Sequence, residues 1–259
     1  MKIKEVIATL EVFAPLPLQD GFDNAGLQVG VTEAEISGAL LCLDVTEDVL
    51  REAVSKGCNL VVAHHPLLFH PLRQLTDATL VERCVRYAVE NGLTIYAAHT
   101  NLDNARGGVN YEIAARLGLR DIVPLRRNDA GNGGSGIIAT LPTPISSREF
   151  INLVKQTFGV ECAMCNALIE RPISRVALCG GAGDFLLDDA VEQQADAFLT
   201  GEMHYHQYFG HEGQIQIVVI GHYQSEQFTP AVLQRIIVEK HPNLSTYITT
   251  VNTNPILYL

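Results

Sequence analysis

Hydrophobic positions along the chain follow two patterns that alternate from one segment to the next. Val6, Ile7, Leu10 and Phe13 recur at helical spacing, whereas 60–63 is a short apolar run rich in β-branched residues. Runs of the second kind are typical of strands buried on both faces. The first pattern and the turn residues predict helices at 4–13, 46–56, 78–91, 110–117, 146–158, 186–194 and 230–239. The second predicts strands at 38–44, 59–63, 93–98, 136–141, 175–179, 197–200, 216–220 and 247–256.

The alternation of strands and helices predicts an α/β fold with mostly parallel central sheets. The segment 38–63 is a strand–helix–strand unit, whose two strands should be parallel with a right-handed crossover. Residues 128–136 are glycines and other turn formers that could not hold a regular element, which makes them the expected boundary between two lobes. We therefore expect a first lobe at 1–127 and a second at 128–259.

Composition and charge exclude several functional classes. The chain has 259 residues, of which 47% are hydrophobic, enough for a substantial core, and its formal net charge is −11. That charge argues against general nucleic-acid or anionic-membrane binding, although the pair Arg126–Arg127 leaves a local basic patch open. The first residues lack a signal-peptide pattern, and no apolar run reaches membrane-spanning length. We expect a soluble, cytoplasmic protein.

Six cysteines are scattered through apolar segments without the pattern of a disulfide scaffold. Cys162 and Cys165 form a single CxxC with no second pair at zinc-ribbon spacing. We interpret most of the cysteines as reduced core residues and leave a redox role for this pair open.

The candidate chemistry lies where predicted strands end. His64 and His65 follow the run 60–63 directly, and Pro66 biases His65 toward an extended backbone. Open α/β sheets carry their chemistry at the carboxyl ends of strands. Because neighbouring side chains of an extended chain diverge, the pair suits two ions, or one ion and a substrate. Taken alone, the pair fits better as one buried, hydrogen-bonded histidine and one solvated histidine.

Two other predicted strands end in the same residue types. His99 with Asp103 follows 93–98, and His222 with Glu226 follows 216–220 at the spacing that brings two side chains to one face of a helix. Histidines and carboxylates together match first-row ions such as Zn, Fe, Mn, Co or Ni. Their number suits a two-metal site with ions roughly 3.5–4 Å apart. The alternative is a polar seam between the lobes.

A glycine turn, Gly180–Gly183, lies between a predicted strand and a predicted helix. This arrangement can bind an anion such as phosphate through backbone N–H groups. The same sequence is also compatible with a simple tight turn.

Several motifs, in order along nearly the whole chain, resemble the Nif-three-like family of YbgI-type dinuclear metal-centre proteins, whose members carry the name GTP cyclohydrolase I type 2 homologue. The motifs are DNAGLQVG, LDVTEDVLREAVSKGCNLVVAHHPLLF, AAHTNLDNARGGVN, LTGE, VVIGHYQSE and NTNP. The resemblance implies a two-lobed, three-layer fold with two divalent ions (Zn, Fe or Mn) between the lobes. It also implies a toroidal homohexamer with its sites facing an inner cavity. Phe22 stands where the family often has Trp, and the middle insertion of longer members is absent.

Matched residue by residue, the resemblance assigns the metal ligands as His64, His65, Asp103, His222 and Glu226. It places His99 at the same site. The first functional hypothesis is a metal-dependent hydrolase that acts on a nucleotide or related heterocycle, with His99 or Glu226 moving the proton. The alternatives are a non-catalytic metal-binding or regulatory ring protein, and a phosphoesterase or peptidase that uses the same two metals.

Overall fold

The computed structural model describes residues 1–258, and it confirms the α/β class. The helices are α1 (Ile3–Phe13), α2 (Glu47–Ser55), α3 (Leu80–Glu90), α4 (Thr100–Asn104), α5 (Val109–Arg116), α6 (Ser147–Phe158), α7 (Leu187–Glu192), α8 (His222–Glu226) and α9 (Thr229–Lys240). The strands are β1 (Gly26–Val29), β2 (Ala39–Cys42), β3 (Leu60–Ala63), β4 (Thr94–Ala97), β5 (Arg120–Arg127), β6 (Gly134–Ile145), β7 (Met164–Cys165), β8 (Ile173–Cys179), β9 (Ala197–Thr200), β10 (Gln216–Val219) and β11 (Thr246–Ile248).

The chain divides into two compact units, at positions other than the expected boundary at 127/128. The first unit comprises 1–102 and the segment from 229 onward, and the second comprises 103–228. The last segment joins the first unit because β11 pairs in parallel with β2. The glycine-rich stretch at 128–133 is instead the loop of the β5–β6 hairpin, in which the Asn128 N–H donates to the Gly133 carbonyl at 3.0 Å.

The first unit is a five-stranded sheet in the order β1-β4-β3-β2-β11. All its pairs are parallel except β1 with β4. Every residue of β2, β3 and β4 is buried, as a sheet covered by helices on both faces requires. Helices α2 and α3 pack on the face that carries Leu40 and Val61, while α1 packs against α9, which contacts β2.

A helix cap and the strand register determine where the chain leaves the carboxyl ends of the strands of this sheet. Thr46 caps α2 by accepting the Val49 N–H at 3.3 Å, so the chain turns from strand to helix directly after β2. In the register of β3 with β4, Ala63 lies opposite Ala97. The residues that follow the two strands therefore emerge at the same edge of the sheet.

The second unit is a six-stranded sheet in the order β5-β6-β8-β9-β10-β7. Strands β8, β9 and β10 are parallel, and the other pairs are antiparallel. The periodicity did not predict β5 or β7, since β5 is mostly exposed and β7 has only two residues. Within β5, Arg126 forms an ion pair with Asp189 at 2.5 Å.

Local hydrogen bonds account for where helix α6 begins and where strand β11 ends. Ser146 caps α6 and forms a reciprocal capping box with Glu149, as the sequence indicates. The C-terminal strand is shorter than expected, because the chain leaves β11 after Ile248 and the Thr250 N–H donates to the Glu52 carboxylate at 3.1 Å. No helix within residues 1–258 is long and apolar enough to cross a membrane.

Cys165 belongs to β7, where it is partly buried, whereas Cys162 is exposed. Burial raises the pKa of the Cys165 thiol to about 11. A thiol of this kind is protonated at neutral pH and is a poor nucleophile. Cys165 therefore does not supply a reactive thiolate.

Candidate metal centre

His64 and His65 continue the line of β3 past its last residue. The His64 N–H donates to the Cys42 carbonyl at 3.2 Å, and the His65 N–H donates to the Leu43 carbonyl at 3.0 Å. Both histidine backbones are thus held by the neighbouring strand. The His64 side chain is buried, whereas that of His65 is 22% exposed.

His99 follows β4 and joins these two histidines in the first unit. The ring centroids of His64 and His65 are 4.9 Å apart, and the His99 ring meets them edge-on at 5.3 and 5.4 Å. One ring nitrogen of each histidine lies within 4.8 Å of one from each of the others. The structure therefore brings together the three strand-end histidines of this unit.

The Nδ1 atoms of His64 and His65 are each held by an oxygen. His64 Nδ1 donates to the Ala98 carbonyl at 2.8 Å, and His65 Nδ1 donates to Asp44 Oδ1 at 2.7 Å. With the proton on Nδ1, the lone pair of a neutral imidazole is on Nε2. Histidines that bind metals have this arrangement, in which the second nitrogen donates to a carboxylate or carbonyl group.

His99 is oriented by a third acceptor, Asp23. His99 Nδ1 donates to Asp23 Oδ1 at 2.7 Å, and the Thr100 hydroxyl donates to Asp23 Oδ2 at 2.5 Å. Burial raises the pKa of Asp23, but the hydrogen bonds from His99 and Thr100 outweigh it and lower the pKa to about 2. Asp23 is therefore ionised at neutral pH, and it orients the His99 ring through Nδ1.

Asp44 accepts a hydrogen bond from His65 Nδ1, just as Asp23 accepts one from His99 Nδ1. Burial raises the pKa of Asp44, but the hydrogen bond from His65 and one from Thr253 bring it below its usual range. The Thr253 hydroxyl donates to Asp44 Oδ2 at 2.7 Å. Neither Asp44 nor Asp23 stands out as a site residue from the sequence, where Asp23 lies in the motif DNAGLQVG and Asp44 in the motif that begins LDVTED. A signal for Asp44 was present, since it follows β2 just as the histidines follow β3 and β4.

In the second unit, His222 and Glu226 lie on one face of α8, as their spacing indicates. His222 Nε2 is 3.2 Å from Glu226 Oε2, and His222 Nδ1 donates to Glu202 Oε1 at 2.9 Å. Glu226 is buried, and one of its carboxylate oxygens lies within 4.8 Å of one from Asp103. Asp103, in α4, is thus near Glu226, and its backbone carbonyl accepts the Asn110 side-chain amide at 3.2 Å.

The glycine turn 180–183 packs against this group. A Cβ atom on Gly181 would lie 2.4 Å from Glu226 Oε1 and 3.3 Å from His222 Nε2, so only glycine leaves room for the carboxylate. Gly181 also has φ +61°, which disfavours other residues.

The N–H groups of this turn have protein acceptors. Those of Gly180, Gly181 and Gly183 donate to Asn110 Oδ1, Ser225 Oγ and Thr200 Oγ1 at 2.9–3.0 Å. The N–H groups of the three glycines are therefore bound within the protein, and the turn packs against Glu226.

Residues 1–255 match the family model described as Duf34/NIF3 (NGG1p interacting factor 3). The chain belongs to the Duf34/NIF3 family. A relative from Clostridium perfringens, named GTP cyclohydrolase 1 type 2 homolog, is 35% identical over 228 residues, which are 87% of each chain.

Solved structures show the same fold. A hypothetical protein from Staphylococcus aureus superposes with a TM-score of 0.92 at 24% identity, covering 100% of this chain and 99% of that one. The protein ybgI, of unknown function, superposes with a TM-score of 0.84 at 20% identity, covering 99% of this chain and 100% of that one. The resemblance to YbgI-type proteins is thereby confirmed.

The donor sets of this Duf34/NIF3 chain fit divalent first-row metal ions. The first unit offers three clustered imidazoles, which suit Zn and Fe, and the second offers one imidazole and two carboxylates, which also suit Mn. The acceptors on Nδ1 of His64, His65, His99 and His222 supply the outer hydrogen bonds that orient such ligands. The chain therefore has groups that can hold a metal ion.

Proposed function

We propose that the protein binds two divalent metal ions, Zn, Fe or Mn, with His64, His65, Asp103, His222 and Glu226 as ligands. The observation that carries the proposal is the cluster of strand-end histidines in the first unit, in which an oxygen accepts a hydrogen bond from every Nδ1. A single hydrogen-bonded histidine is common in proteins without a metal ion. Three converging imidazoles, each oriented by a hydrogen bond from Nδ1, match a metal site. Membership of the Duf34/NIF3 family supports the assignment of the remaining ligands.

The reaction we propose is hydrolysis of a nucleotide or related heterocycle. Its support is the name GTP cyclohydrolase 1 type 2 homolog, carried by relatives that include one 35% identical to this chain. Bound ions at such a site polarise the substrate and lower the pKa of water. The proposed residues comprise imidazoles and carboxylates, which are donors for divalent ions and bases that can move protons.

Two residues have the positions to move the proton. His99 is held through Nδ1 by the ionised Asp23, so its Nε2 is the nitrogen that can accept a proton. Glu226 is a buried carboxylate beside His222, and a carboxylate oxygen is a second group that can accept a proton. We assign His99 as the main general base and Glu226 as both ligand and auxiliary base.

The experiment that tests the hydrolase is formate release from GTP with protein loaded separately with Zn, Fe and Mn. We expect release in the wild type, and a loss of about 100-fold or more for His99→Ala with its metal content retained. His206→Ala is the control, because His206 is exposed and outside the candidate ligand set. Two bound ions without turnover of any nucleotide would contradict the hydrolase and favour a metal-binding or regulatory protein.

We further propose that the protein assembles as a ring-shaped homohexamer, on the strength of its family. Light scattering coupled to size-exclusion chromatography measures this directly. The expected mass is about 170 kDa, six times the 28.3 kDa of one chain. A monomer or dimer at micromolar concentration would contradict the proposal.

A further inference from the structure

Two exposed phenylalanines lie beside the histidine cluster of the first unit. Phe22 is 67% exposed and Phe69 is 40% exposed, and their ring centroids are 6.3 Å apart with the planes tilted by 53°. The Phe69 ring is in turn 6.3 Å from the ring of His99. An aromatic pair open to solvent therefore adjoins the residue that we assign as general base.

Hydrogen bonds hold this pair in place. The Asn24 side-chain amide donates to the Leu68 carbonyl at 2.6 Å, and the Leu68 N–H donates to Gln28 Oε1 at 3.1 Å. Both backbone groups of the residue before Phe69 are thus bound to side chains of the segment 22–28, which runs from the loop that carries Phe22 into β1. The same loop is tied to His99 through Asp23, so the two rings and the imidazole share one supporting network.

Large exposed aromatic side chains that are rigidly supported are characteristic of binding surfaces. Their π-faces bind planar heterocycles by stacking, an interaction that every nucleobase can make. Polar groups border the pair, since the His70 ring lies 5.2 Å from that of Phe69 and His99 lies on another side. An apolar surface next to a few polar groups is the composition of a small-molecule site.

We propose that Phe22 and Phe69 form the stacking surface for the heterocyclic ring of the substrate and position that ring against His99. The identification of His99 as the reacting residue rests on the proposed function, whereas the stacking itself does not require a metal ion. The proposal assigns a role to Phe22 and explains why Asn24 and Gln28 bind the backbone of Leu68. The ligand class is a purine nucleoside or nucleotide.

The absence of tryptophan from the chain allows a direct test. In Phe22→Trp the single indole reports on this surface, and stacking of a purine quenches its fluorescence. The matched control is Val89→Trp, since Val89 is 63% exposed. Val89 lies near the end of α3, which leads into the amino end of β4, whereas His99 follows the carboxyl end of that strand. Each protein is titrated with guanosine, GTP and ribose 5-phosphate, with and without chelator, and its metal content is measured in parallel.

We expect saturable quenching of Phe22→Trp by guanosine and GTP but not by ribose 5-phosphate, and no saturable quenching of Val89→Trp. Adding Phe69→Ala to Phe22→Trp should weaken guanosine binding about fivefold or more. Quenching that is absent, or equal for ribose 5-phosphate, would overturn the proposal even if two ions are bound. The emission of Phe22→Trp is also compared with the oligomer mass at several protein concentrations without ligand. If the two change together, a second copy of the chain covers the rings, and the proposal is overturned. Missing metal with intact quenching would reject the proposed function and leave the stacking surface standing.

Discussion

Replacing Gly181 with alanine should weaken metal binding without unfolding the protein. A Cβ atom at this position would lie 2.4 Å from Glu226 Oε1, whereas ordinary contact begins at 3.4 Å. The carboxylate oxygen must therefore move by about 1 Å. Because this oxygen is the far end of a side chain, it can move while α8 keeps its place, so the change falls on the proposed ligand.

The expected magnitudes separate the two effects of this substitution. Alanine at φ +61° costs roughly 1 kcal/mol in the free energy of unfolding. Displacing a group that supports or forms a metal site typically costs 10- to 100-fold in affinity, which is about 1.4–2.7 kcal/mol. The loss of stability is thus modest, and the loss of metal affinity is the larger effect.

The control is Gly159→Ala. Gly159 follows α6 at φ +65°, and a Cβ atom there would meet nothing within 4 Å. Urea unfolding of the metal-free proteins should give similar losses for the two variants, while calorimetric titration with Zn should show weaker binding only for Gly181→Ala. Equal metal affinities in the two variants would refute the argument that the glycine turn positions Glu226.

Three further predictions concern single residues. His64→Ala and Glu226→Ala should each lose at least one ion by elemental analysis while keeping wild-type circular dichroism; full occupancy in both would reject the ligand assignment. Asp44→Ala should lower Zn affinity 10- to 100-fold because His65 Nδ1 loses the carboxylate that accepts its hydrogen bond, and Thr253→Val, which leaves that carboxylate in place, should lower it less; equal effects would contradict the assignment of Asp44 as the group that orients His65. Burial raises the pKa of Glu52, but hydrogen bonds from threonines after β11 lower it overall. The ionised Glu52 therefore stabilises the folded protein above pH 4.5, and this stabilisation is lost as the pH falls through the lowered pKa. Glu52→Gln should therefore be less stable at neutral pH, with the difference shrinking below pH 4.5 in urea titrations; a constant difference would contradict this.

Periodicity and turn chemistry were sufficient for most of the elements but not for the division into units. Helices such as α1 and α6 carry their own signals, an apolar stripe or a capping box, which act within a few residues. The return of β11 to β2 is a pairing between distant segments, and nothing local to 246–248 encodes its partner. The glycines at 128–136 indicate a turn, and a hairpin loop satisfies that signal as well as a linker does.

The sequence likewise predicted part of the candidate site but not all of it. The histidines at the ends of β3 and β4 were predicted to belong to one candidate site, and the structure brings them together in the first unit. The acceptors Asp23 and Asp44 were harder to recognise, since each is tied to a histidine 76 or 21 positions away and resembles an ordinary turn residue. The role of Gly181 depends on a contact with Glu226 that only coordinates reveal.

The metal content of the protein tests the central claim most directly. Untagged protein purified without chelator is analysed for metals by elemental analysis and normalised to chain concentration. The account predicts about two divalent first-row ions per chain. A value near zero, in protein that also fails to take up Zn, Mn or Fe from solution, would contradict it and make the histidine cluster structural.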